Sequence, residues 1–222
     1  MHFLKVPDLL TQDEVARLRA LAQRVRFVDG RASSNPGSVV KNNLQPEVTD
    51  PAYLEAGQLV QQAFFRNPLV RAYAYPKRIA MPMLTKYQPG MEYGLHTDAS
   101  MLATQPSIRA DVSCTVFLNP PGDYDGGELA TKLGDALVDV KLPPGHAVFY
   151  PSVTLHQVKP VTRGERLVAI AFLESAVRDH YQRQLLFTLA QGLARVDDKL
   201  DWDARTQLHH VLINLQRMWS ET

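Results

Sequence analysis

The sequence predicts an α+β protein with a mainly β core, flanked by N-terminal and C-terminal helices, on three observations. Apolar residues recur at helical spacing near both ends of the chain; from about residue 70 to 174 short β-type runs replace them; and "QPG", "PPGDYDGG", "LGDA" and "PPG" punctuate those runs as turns. With 222 residues, 45% hydrophobic and 21% charged, the chain can bury a substantial core.

In chain order, "LLTQDEVARLRALAQ" reads as a capped helix: Thr11 and Glu14 have capping-box spacing, and Val15, Leu18, Leu21 and Ala22 recur on one face. "VDGRASSNPGSVVKNNLQP", rich in Gly, Ser, Asn and Pro, reads as a loop or irregular edge. Residues 52–65 return to helical pattern, with Leu54, Leu59, Ala63 and Phe64 available for one face. In the β region, "RADVSCTVFLN" alternates, with Asp111, Ser113 and Thr115 on one side and Val112, Cys114, Val116 and Leu118 on the other. "HAVFYPS" and "RLVAIAFLES" are apolar enough to be central strands. "DYDGGEL" reads as a hairpin connection in which Gly126 and Gly127 supply positive φ; it lacks calcium-loop spacing. "YQRQLLFTLAQGLARV" and "TQLHHVLINLQRMW" form a helical tail. The expected organisation is a domain over 1–175 and a C-terminal helical extension over 176–222 packed on it.

Composition narrows the function. Lys plus Arg number 24 against 23 for Asp plus Glu, so no strong field draws the chain to nucleic acid or anionic membrane, and neither is expected as a partner. The lone cysteine, Cys114, excludes an internal disulfide and falls on the apolar face of its strand as a core residue. "MHFLKVPDLLTQDEV" meets Pro and acidic residues before an apolar run reaches signal or membrane-span length, so a cytoplasmic location is expected.

The chemistry centres on "YGLHTDAS". His96 and Asp98, two apart, point the same way from an extended segment. Alone, such a pair is as ordinary as any solvated strand end. His156 closes one predicted strand and Arg166 opens the next, ten residues on, as if in a hairpin. Two imidazoles and a carboxylate on one side of an Fe(II) ion leave positions open for an oxidant and an organic co-substrate. Arg166, sharing a face with Val168 and Ile170, points a permanent charge inward, which calls for an anionic guest.

At this point the chain resembles the bacterial PKHD-type hydroxylases, iron(II)/2-oxoglutarate-dependent dioxygenases related to prolyl 4-hydroxylase. "VDGRAS", "KNNLQ", "YGLHTDAS", "RADVSCTVFLNPPGDYDGGEL", "YPSVTLHQVKPVTRGER" and "VRDHYQRQLLFTL" carry the resemblance over nearly the whole chain. It implies a double-stranded β-helix (jelly-roll, cupin-like) fold, with His96, Asp98 and His156 as catalytic iron ligands. Arg166 then binds the distal carboxylate of 2-oxoglutarate, and Tyr87 is a pocket tyrosine. Phe117 stands where some relatives place a second tyrosine, leaving hydroxyl help for Arg166 to Ser113 or Thr115. The implied cofactors are Fe(2+), 2-oxoglutarate and O2, with ascorbate as a candidate reductant. The implied reaction hydroxylates a C–H bond of an unidentified small-molecule or protein substrate and yields succinate and CO2, with a link to iron uptake as one setting. A carboxylate at Asp98 favours hydroxylation over halogenation.

Other readings stay beside this one. A non-catalytic iron or 2-oxoglutarate sensor and a zinc hydrolase use similar ligands, although a structural metal gives Arg166 no role. His146 reads as a turn residue, His2 and His180 lack partners, and His209 and His210 diverge on one helix. Tyr73, Tyr75 and Tyr93 either line a cleft or pack the sheet; Phe149 and Tyr150 read as sheet packing, and Arg163 as a solvated turn residue. The apolar faces of the C-terminal helices fit packing within the chain and also a homodimer.

Overall fold

The computed structural model describes residues 3–33 and 40–221. Helix α1, Gln12–Arg24, starts where the capping box was expected: the Thr11 hydroxyl accepts from Glu14 N at 3.2 Å, and the Glu14 carboxylate accepts from Thr11 N at 2.8 Å. Val15, Leu18, Leu21 and Ala22 are its buried residues. Helix α2, Pro51–Arg66, is capped by Asp50, whose carboxylate accepts from Ala52 N and Tyr53 N. Tyr53, Leu59, Val60, Ala63 and Phe64 make its buried stripe. Leu54, expected there, is rotated away and 39% exposed, one helical step past Tyr53. A short helix, α3, Pro68–Ala74, follows where β character was expected to begin. Asn67 caps it and Tyr75, at φ 45°, ends it.

Two antiparallel sheets face each other. Strand order in the larger is Leu4–Val6, Ala147–Pro151, Val112–Phe117, Arg166–Ser175, Met83–Tyr87, Leu44–Pro46 and Phe27–Asp29, with Pro76–Ile79 also paired to Arg166–Ser175. The smaller runs Ala136–Val140, Leu129–Leu133, His156–Val158, Glu92–His96 and Lys41–Asn42. The larger sheet is covered on both faces, and its period of two sorts the residues. Val112, Cys114, Val116, Leu167, Ala169, Ala171 and Leu173 join the core formed with α1, α2 and α3. Phe117, Val148, Tyr150 and Val168 face the smaller sheet instead, packing with Leu129 and Val140. The apolar face makes the fold; the mixed face makes a lined interior.

Two expectations change and one alternative is decided. The segment over 28–46, expected as a loop or irregular edge, contains short strands at the sheet margins, because its backbone groups find partners far away in sequence: Leu44 pairs with Lys86 and Lys41 with Tyr93. Residues 34–39 of it lie outside the described residues. "DYDGGEL" is not a hairpin connection, since Val112–Phe117 and Leu129–Leu133 belong to different sheets. It crosses between them, with Asp125 and Gly126 paired to Arg163 and Val161. The same holds for His156 and Arg166, whose strands lie in opposite sheets; Val161–Arg163 forms a strand of its own between them. The positive φ expected of Gly126 and Gly127 is present, at 70° and 65°.

Helices α4, His180–Val196, and α5, Trp202–Trp219, share a small core of Val177, Leu186, Leu193 and Leu212. Arg183, 4% exposed, ties α4 to the sheet by donating to the carbonyls of Val177, Arg178 and Asp111 at 2.7, 2.8 and 3.0 Å. Tyr73 of α3 meets Phe187 edge-on at 5.5 Å. No described helix is long and apolar enough to cross a membrane.

The crossing at Gly126 is sterically closed: a Cβ there meets Pro160 O at 1.9 Å, on a backbone at φ 70°. Gly126→Ala is expected to cost about 3 kcal/mol or more. Gly90→Ala, at φ 85° but with nothing within 4 Å of the new Cβ, should cost only about 1 kcal/mol. Thermal melts of the two variants check this, and equal shifts would contradict the close approach.

Candidate active site

His96 is the last residue of Glu92–His96 and His156 the first of His156–Val158, and the two are direct partners across the strand pair. Asp98 lies just past the strand end. One ligand atom from each of the three falls within 4.8 Å of the others. The Nδ1 atoms of His96 and His156 lie 2.7 Å from Gly94 O and 2.9 Å from Thr154 O. A carbonyl only accepts, so each Nδ1 carries the hydrogen and each Nε2 presents its lone pair. Those Nε2 atoms stand 3.9 and 3.7 Å from Asp98 Oδ1. Asp98 Oδ2 accepts from the Ser113 hydroxyl at 2.6 Å, and Ser152 Oγ lies 2.8 Å beyond it. Burial, and then neighbouring His156, lower the His96 pKa to about 4, so the ring is neutral and ready to bind a cation near pH 7.

The triad opens into the space between the sheets, where Tyr87, Tyr93, Tyr150, Arg166 and Ile170 also project. Arg166, 1% exposed, starts its strand opposite Tyr87. Its guanidinium carbon lies 5.0 Å from the Tyr87 ring centre and 5.9 Å from that of Phe117, and the Tyr124 side chain lies close by, both bordering Gly127. Its Nε has no partner. A guanidinium held among aromatic rings with a donor unspent suits a bound carboxylate. Tyr87, 3% exposed, accepts from Asn43 Nδ2 at 3.0 Å, which leaves its own hydrogen for another acceptor. Burial raises the pKa of Tyr87, with Arg166 pulling the other way.

Ser113 and Thr115 do not assist Arg166. Antiparallel register places Ser113 opposite Phe172, far along the strand from Arg166, so Ser113 serves Asp98 while Thr115 bonds Tyr150. The hydroxyl beside Arg166 is Tyr124, from the crossing segment, and the sequence reading missed it. Tyr150 packs between the sheets, as expected, and also brings its ring to 5.2 Å from that of His156; Phe149 packs on Phe64, as expected. Of the three undecided tyrosines, Tyr93 belongs to the site, stacked on His96 at 3.5 Å and 14°. Tyr73 and Tyr75 pack against α4 and α5.

Lys41 was also missed. It is 8% exposed, with Nζ 5.2 Å from the Tyr93 ring centre, and burial lowers its pKa to about 8 against the pull of Asp98. Its motif "KNNLQ" was visible, but only the pairing with Tyr93 turns Lys41 inward. The remaining candidates stay outside: His146 lies 3.6 Å from Asp8, His209 bonds Asp197 and His180 begins α4. His2 lies outside the described residues. Arg163 sits in a strand and pairs with Asp125. Cys114 is a core residue whose thiol pKa is raised by burial.

Residues 82–174 match the family model of the 2OG-Fe(II) oxygenase superfamily. A PKHD-type hydroxylase of Sphingopyxis alaskensis is 45% identical over 216 residues, 97% of this chain and 98% of that one. The chain belongs to the PKHD-type hydroxylases. A second relative of that name, from Paracoccus denitrificans, is 41% identical over 99% of both chains. The hydroxylase is thus an oxidoreductase, an iron(II)- and 2-oxoglutarate-dependent dioxygenase. Its fold is that of a Pseudomonas putida prolyl-4-hydroxylase, with a TM-score of 0.54 and 22% identity over 78% of this chain and 92% of that one. HygX from Streptomyces hygroscopicus, solved with nickel and 2-oxoglutarate bound, shares it at TM-score 0.53 and 16% identity, over 78% and 82% of the two chains. The facing sheets are therefore the double-stranded β-helix that the resemblance implied.

Two outcomes follow from this geometry. Ser113→Ala frees Asp98 to turn and is expected to weaken metal binding by roughly 10- to 100-fold, read by anaerobic metal titration; unchanged affinity would remove Ser113 from this role. In the metal-free enzyme His96 takes up a proton only near pH 4, against an ordinary value of 6.5. Between these values the unfolded chain binds more protons, so the stability is complete above 6.5 and falls as pH drops toward 4, by about 2 kcal/mol at pH 5. Urea melts at pH 7 and 5 should show a smaller drop for His96→Gln; an equal drop would contradict the assignment.

Proposed function

We propose that the enzyme hydroxylates a C–H bond of an organic substrate while 2-oxoglutarate is converted to succinate and CO2, with Fe(II) held by His96, Asp98 and His156. The observation that carries this reading is Arg166: a fully buried guanidinium with an unpartnered Nε, in the interior into which the triad opens. A metal kept only for structure, or a hydrolytic zinc, gives such a group nothing to bind. Bound iron supplies the oxygen chemistry. The chain supplies ligands and order around it.

Gly94 O and Thr154 O fix the imidazole tautomers, and Ser113 aims Asp98. Arg166, with the Tyr124 and Tyr87 hydroxyls near it, would receive the far carboxylate of 2-oxoglutarate. Packing of Tyr150, Val168 and Phe117 keeps water from that end. In the cell we assign ascorbate as the reductant that restores Fe(II), a cytoplasmic location, and iron uptake as the setting to test first.

The test is anaerobic loading with Fe(II) and 2-oxoglutarate, admission of oxygen, and measurement of succinate without added substrate. Wild-type enzyme should form it, and His96→Ala and Arg166→Ala should lose at least about 90% of it at moderate co-substrate. Equal background in all three would end the oxygenase reading. Arg166→Ala should raise the 2-oxoglutarate requirement more than it weakens iron binding; the reverse ranking would mean its role is misassigned.

A further inference from the structure

A second cavity, of about 370 Å³, adjoins the triad and shares Tyr87, Tyr93, Asp98 and Phe172 with it. Arg166 does not line it. Its charged lining consists of Asp98, which faces the two imidazoles and Ser113, and Lys41, carried on the edge strand of the smaller sheet. With a divalent ion held by the triad, the Asp98 charge would be neutralised, and the cavity would present net positive charge from Lys41, which is only 8% exposed. Much of the remaining wall is apolar: Met83, Met101, Leu102 and Phe172. Thioethers adapt to irregular apolar bodies, and the volume is in the range that holds a small organic molecule.

We infer that this cavity receives the primary substrate, a small organic anion with an apolar or aromatic body, whose carboxylate meets Lys41 while a neighbouring C–H faces the triad. The inference rests on the proposed hydroxylation at the same site. It assigns the two buried cations different guests: Arg166 the co-substrate, Lys41 the substrate. Lys41 is joined to the triad through Tyr93, over which its ammonium sits and which stacks on His96, so an anion held there lies beside the metal ligands.

The probe is 4-fluorophenylacetate, compared with its uncharged counterpart 4-fluorophenylacetamide, by fluorine NMR on anaerobic enzyme loaded with Fe(II) and saturating 2-oxoglutarate. The acid should bind roughly tenfold or more tighter than the amide, and its fluorine should relax faster with Fe(II) than with Zn(II) in the site. Lys41→Met should abolish the preference and Lys41→Arg should keep most of it. Leu102→Trp, which fills the cavity without removing the charge, should exclude both probes and serves if Lys41→Met does not fold. The inference is overturned if wild type shows no preference, if relaxation ignores the metal, if the preference survives Lys41→Met, or if Leu102→Trp still binds the acid. It is equally overturned if Lys41→Met weakens 2-oxoglutarate as much as the acid, since the ammonium then serves the co-substrate. Succinate formed without substrate separates the two readings: its absence removes the oxygenase function, whereas its presence without acid preference removes only this inference.

Discussion

The site depends on one strand pairing. Glu92–His96 and His156–Val158 lie side by side with His96 directly opposite His156, and this pairing brings residues 60 positions apart into one ligand set. The pairing is irregular past the histidines, where the register shifts before Val158 meets Tyr93. Tyr93 stands opposite Val158 beyond the shift, and its ring stacks on His96. From this pair outward, each polar group is held by a partner whose chemistry leaves one function free.

The economy of those partners explains why polar residues persist inside an otherwise apolar sandwich. A buried polar group without a partner costs about 1–3 kcal/mol. The imidazole Nδ1 atoms, Asp98 Oδ2 and the Tyr87 oxygen all have theirs. The Nε2 lone pairs, Asp98 Oδ1, the Tyr87 hydrogen and the Arg166 Nε are turned to the interior or left over. The satisfied side of each group supports the fold, and the unsatisfied side is where a metal and a dicarboxylate can be recognised. Lys41 adds a buried charge to the wall of a second, adjoining cavity.

Much of this was legible along the chain. Capping-box spacing at Thr11 and Glu14 locates α1, alternation in "DVSCTVF" separates a core face from a lined face, and the motifs around His96, Asp98, His156, Arg166 and Tyr87 single these residues out. Misreadings cluster where the chain crosses between sheets. "DYDGGEL" and "HQVKPVTRGER" look like hairpins because turn residues join two β runs, and nothing local says that the runs belong to different layers. Ser113 and Thr115 were given to Arg166 for the same reason: they share a strand with Phe117, but their distance from Arg166 is set by register.

The sequence by itself determined the ligand types, their spacing and the sign of the charge that awaits them, because residue chemistry and local periodicity are properties of the chain. Only the tertiary structure decided which hydroxyls stand beside which charge. Tyr124 reaches Arg166 across a crossing, Ser113 turns to Asp98, and Lys41 comes in from a two-residue edge strand to lie over Tyr93. Those contacts join segments distant in sequence through backbone pairing, and pairing partners are fixed by the packing of whole layers, not by any one stretch.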